Sequence, residues 1–172
     1  SDIENQWSAW EEKQIVIVRP TNVAQALCDR VKEDFDPELS EDGRYIRDDI
    51  SEVGYRRLLS IASLDGLVEA SQLSRVLGGA SSEVQLMLTR ILWEEYGSGK
   101  LERKHSTFFA AMMDGIGLDS RPEAYFDLVP WEVLANINHS FMVSEQKRKF
   151  LRYIGGLLYI EVSVPASFIN NK

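Results

Sequence analysis

From Val23 to Val164 the apolar residues return at every third or fourth position, and no strand-length stretch alternates polar with apolar convincingly. Side chains of that period share one stripe of an α-helix, so the chain is confined to helix-on-helix packing. Val23, Ala26, Leu27, Val31 and Phe35 make one stripe, with Thr21 or Asn22 placed to cap it. Val53, Leu58, Leu59, Ile61, Ala62, Leu64, Leu67 and Val68 make a second, expected to run from Ser51 to Glu69 or beyond. Gly66 interrupts it at a cost of about 1 kcal/mol relative to alanine. Ser82-Glu83-Val84-Gln85 has the spacing of a capping box and predicts a helix start near Glu83. Short helices are expected over Glu123–Leu128 and Trp131–Phe141, and a last one from Ser144 to about Val164, stopped by Pro165. The fold class expected is all-α, a helical bundle of about six or seven helices.

Two passages depart from this pattern. Glu33 to Glu52 carries nine acids against two arginines, with Pro37 and Gly43, and reads as a solvated loop leading into a helix. Ile15-Val16-Ile17-Val18, closed by Arg19-Pro20, is β-branched and reads as extended. It makes the N-terminal helix of about 1–14 a segment that need not be contiguous with the rest. Otherwise residues 1–172 are expected to form one helical domain, a size that supports a core without disulfides or structural metal.

Charge and cysteine usage narrow the function. A net charge of −8 argues against nucleic acid, whose phosphates recruit lysine and arginine. No apolar run reaches the length of a membrane span, so a cytoplasmic protein acting on a small molecule is expected, with homodimerisation left open. Cys28 is the one cysteine; with no base nearby in sequence it reads as a buried structural thiol.

The chemistry concentrates in Trp93–Phe109. Glu102 and His105 stand three apart, which on a helix puts them on one face. Glu95 precedes His105 by ten positions with Gly97 and Gly99 between, and a bend at those glycines would turn Glu95 toward the same point. Mixed carboxylate and imidazole donors suit iron, manganese or zinc. The plain alternative is a solvated surface pair. Leu157 to Val164 is apolar on all sides except Glu161 and Ser163, so the helix reads as buried, and an ionised Glu161 there needs an arginine, a proton or a cation. Arg90 and Arg152 are the candidate arginines. Gly155-Gly156 reads as a place of close approach for another helix. Glu69 falls at the boundary or in the interior of its helix and reads on its own as exposed, His139 reads as structural, and Met112 and Met113 read as core.

Two signatures together carry a resemblance. Glu94-Glu95-Tyr96-Gly97-Ser98-Gly99, then His105, Phe108-Phe109 and Gly115-Ile116-Gly117-Leu118-Asp119, form the first. Gly155-Gly156-Leu157-Leu158-Tyr159-Ile160-Glu161-Val162-Ser163-Val164-Pro165 forms the second. Over roughly Glu69 to Pro165 the chain resembles the iron-containing redox enzymes of the haem-oxygenase-like di-iron oxidase and oxygenase superfamily. That resemblance implies a haem-oxygenase-like bundle, two non-haem iron ions and O₂ as co-substrate. It implies His105 and Glu161 as metal ligands, a further ligand at Glu95 or Glu102, and a carboxylate ligand at Glu69. Manganese stays open beside iron. The family completes its site with an Asp and His on a later helix, whereas this sequence stops at Lys172 and supplies half of such a site. The expectation is that the last ligand helix is ordered by the metals and is not among these residues.

The resemblance implies oxidation of a small amine or amino acid by O₂, by N-oxygenation, desaturation or C–C cleavage. One alternative is a helical bundle that lost its metal site and serves as an interaction module. A metal-free hydrolase of related shape ranks last, since Cys28, its one obvious nucleophile, lies outside the match.

Overall fold

Helix starts are fixed where the sequence offers a short polar side chain. Asn22 Oδ1 accepts from the Gln25 N–H at 3.1 Å, Ser51 Oγ from the Gly54 N–H at 3.1 Å, and Ser82 Oγ from the Gln85 N–H at 3.4 Å. The computed structural model describes residues 2–35, 37–68, 70–78 and 82–170, and among these it is helical without a strand. In chain order the helices are α1 (Asp2–Gln14), α2 (Val23–Phe35), α3 (Glu41–Asp48) and α4 (Glu52–Gly66). Then come α5 (Ser71–Val76), α6 (Glu83–Glu95), α7 (His105–Gly115), α8 (Trp131–Glu145) and α9 (Phe150–Asn170). The chain forms two compact units, residues 41–154 and residues 1–40 with 155–172.

The larger unit holds the core. Leu59 of α4, Leu73 and Val76 of α5, Leu88 of α6, Met113 of α7, Val143 of α8 and Tyr153 of α9 are buried there. α5 packs on α8 and α4 on α7. Gly66 is required by the second contact: a Cβ there would stand 2.6 Å from Phe109 Cδ2 and 2.9 Å from its Cγ. Arg56 of α4 donates to the carbonyls of Ile116 and Gly117, tying α4 to the turn after α7. Arg75 lies 4.8 Å over the Phe141 ring and pairs with Glu145, joining α5 to α8.

Several expectations change here. Glu41–Asp48 is helix, not loop; its acids Glu41 and Asp42 lie in the first turn and Arg47 in the last, and Arg47 pairs with Asp48 at 2.7 Å. The expected helix from Ser51 ends at Gly66, and Glu69 lies outside the described residues. Only Phe126–Leu128 of the expected 123–128 helix is helical, as a 3₁₀ turn. Met113 is core as expected, whereas Met112 is 38% exposed.

In the smaller unit, α1 and α2 have no buried residue, and none of residues 155–164 is buried. This overturns the expected burial of Glu161, which is exposed. An apolar helix is buried only where neighbours cover every side, and α1 and α2 offer narrow stripes set among charges. Tyr159 and Ile160 are accordingly about half exposed, at 54% and 49%. An added Cβ on Gly155 or Gly156 would meet nothing within 4 Å among the described residues. α9 also runs through Pro165 to Asn170, since proline removes one donor while keeping a helical φ. Cys28 is exposed, not buried, because its helix buries no face. Residues 15–20 have no regular structure, consistent with their β-branched composition.

Candidate metal centre

The link between α6 and α7 is built from backbone that only glycine adopts freely. Gly97, Ser98 and Gly99 follow one another with φ of 64°, 53° and 80°. At Gly97 the space is also closed: an added Cβ would lie 2.5 Å from the Arg103 carbonyl carbon and 2.6 Å from the Lys104 nitrogen. The Arg103–Lys104 backbone therefore folds directly against Gly97. A second turn over Leu101–Arg103 and an extended Lys104 (φ −65°, ψ 135°) then start α7 at His105.

This fold-back brings together the last residue of α6 and the first of α7. Glu95 Oε2 lies 2.8 Å from His105 Nδ1. That oxygen is shielded from solvent; the Glu95 side chain is 17% exposed and the imidazole 45%. The glycine bend expected from sequence is present. The helical face expected for Glu102 and His105 is absent, because extended Lys104 separates the Glu102 turn from α7 and leaves Glu102 exposed. Arg90, a candidate partner for Glu161, instead pairs with Glu94 at 3.2 Å. His139 lies mid-helix in α8, half-buried.

The pair suits a metal by donor type and spacing. A carboxylate oxygen and an imidazole nitrogen are borderline donors that favour iron, manganese or zinc. The 2.8 Å between them is short enough for both to face one ion. Among the described residues no group of three or more His, Cys, Asp or Glu converges on one point. Glu95 and His105 are thus two metal-type donors brought together, with no third such group at the same point among the described residues. The sequence gave no role to Lys104, whose extended backbone breaks the helix before His105 and whose Nζ lies 4.8 Å over the Tyr96 ring.

Over 100 residues the chain is 31% identical to nitrosourea synthase of Streptomyces achromogenes subsp. streptozoticus. The alignment covers 58% of this chain and 21% of that protein, so the chain spans about a fifth of its relative's length. A family model described as iron-containing redox enzyme matches residues 56–170, from the second turn of α4 to the end of α9. On a match of that extent, carried on the helices that bring Glu95 to His105, this chain belongs to the iron-containing redox enzymes of haem-oxygenase-like fold.

Proposed function

We propose that the protein is a non-haem di-iron oxidase or oxygenase that uses O₂ to oxidise a small amine or amino acid, with Glu95 and His105 among the iron ligands. The observation that carries this reading is the 2.8 Å approach of Glu95 Oε2 to His105 Nδ1 across the glycine turn. Glu69, Glu102 and Glu161 remain ligands by resemblance alone. N-oxygenation is the favoured reaction because a nitrosourea, the product named for the related synthase, carries an N–O bond on nitrogen. Fold does not fix chemistry, so this choice follows the relative and not the bundle.

Bound iron would supply the binding and reduction of O₂. The chain's own residues do the rest. Gly97 and the backbone packed on it fix how far Glu95 stands from His105. The shielded position of Glu95 Oε2 keeps water from competing for that oxygen. Glu95 and His105 already stand close together without a metal, and either would bind iron in its unprotonated form, so uptake would release any proton held there.

Anaerobic Fe(II) titration tests the reading. Uptake is expected, weakened at least ten-fold by Glu95→Gln and by His105→Ala. Zero uptake would leave the metal-free helical module as the reading, and uptake indifferent to both substitutions would move the site elsewhere.

A further inference from the structure

Beside the face of α6 formed by Thr89, Leu92 and Trp93, with Tyr96 just past its end, there is an open cleft of ≈ 420 Å³ bordered by Gly99, Leu101 and Lys104. Its size falls in the range of small-molecule sites. The turn shapes it: a Cβ on Gly99 would come within 2.9 Å of Trp93 Cη2, so the missing side chain is what lets the indole lie there. Of the lining groups, Thr89 Oγ1 already donates to the Gln85 carbonyl at 2.7 Å. Lys104 is the one charged lining residue. Its Nζ is held 4.8 Å over the Tyr96 ring, and no carboxylate among the described residues lies in ion-pairing range of it.

An apolar and aromatic cleft whose single charge is a cation is complementary to one class of ligand. We propose that this cleft binds a small apolar carboxylate, its hydrocarbon body against Trp93, Leu92 and Leu101 and its carboxylate paired with Lys104. The ammonium gains by the exchange. On the Tyr96 ring it has a weak cation–π contact, and a carboxylate offers a charge-assisted hydrogen bond at the rim of an apolar surface. The cleft lies within the larger unit and uses neither Glu95 nor His105, so the proposal stands apart from the iron reading.

The test is done on metal-free full chain in excess chelator, with 3-phenylpropionate, 3-phenylpropanol and 3-phenylpropylamine as probes, followed by amide and indole NMR shifts. The acid is expected to shift Trp93, Tyr96, Gly99 and Lys104 saturably, with the alcohol at least ten-fold weaker and the amine absent. Lys104→Met, which keeps the apolar stem, should weaken the acid about ten-fold without lowering the melting temperature, and Lys104→Arg should restore it. Equal binding of acid and amine, an acid affinity unchanged in Lys104→Met, or no saturable shift up to ~10 mM would each overturn the proposal.

Discussion

Among single residues, Gly97 sets the turn between Glu95 and His105. Glycine at a positive φ is common in turns, but here the Arg103 and Lys104 backbone also occupies the space a side chain would need. Gly97→Ala should therefore cost roughly 1–3 kcal/mol of stability and weaken iron uptake, although it removes no ligand. Chemical denaturation together with the Fe(II) titration checks this, and an alanine variant with wild-type uptake would show that the turn does not position the pair. Glu95 and His105 were legible in the sequence because glycines between two helical stretches signal a fold-back. Glu102 was misplaced because the spacing of three holds a shared face only if helix is continuous, and nothing in Lys104 announces an extended residue. Glu161 was misread as buried for the opposite reason: local composition was taken as a statement about neighbours. The family assignment now rests on the match over residues 56–170 and not on that carboxylate.

At the scale of elements, the contact of α4 with α7 reverses a propensity argument. In an isolated helix Gly66→Ala would stabilise by about 1 kcal/mol. Against the Phe109 ring the added methyl is overpacked, so the same substitution should destabilise by roughly 1–3 kcal/mol in urea unfolding. A stabilised variant would mean that Phe109 moves aside freely. The corner after α7 offers a pH test. Asp119 accepts from the Arg121 guanidinium and from the Arg121 N–H, and both hold its carboxyl below the ordinary 3.8. A carboxyl lowered on folding contributes stability that is present above the unfolded value and lost as pH falls through the folded one. NMR titration should find Asp119 below 3.8 in the folded protein, returning toward it in Arg121→Ala. Capping was the most legible feature at this scale, because Asn22, Ser51 and Ser82 each act through bonds a few residues away. Helix ends such as Gly66 and Asn170 were not, since tertiary contacts and a tolerated proline decide them.

Across the whole molecule, burial is uneven. The core residues Leu59 to Tyr153 all lie between positions 41 and 154, while α1 and α2 bury none. Hydrogen exchange should accordingly be slowest in α4, α5, α7 and α8 and fastest in α1 and α2. Uniform protection across all of them would contradict this distribution. The helical class was readable because period is a local property of sequence, whereas the division into a packed unit and a thin one depends on which stripes find partners. The central claim is that Glu95 and His105 hold iron together, and X-ray absorption at the iron edge of Fe(II)-loaded protein tests it most directly. A nitrogen and oxygen shell with outer imidazole scattering is expected, with that scattering weakened in His105→Ala and the first shell altered in Glu95→Gln. An identical shell in the wild type and both variants, or sulfur scattering from Cys28, would contradict it.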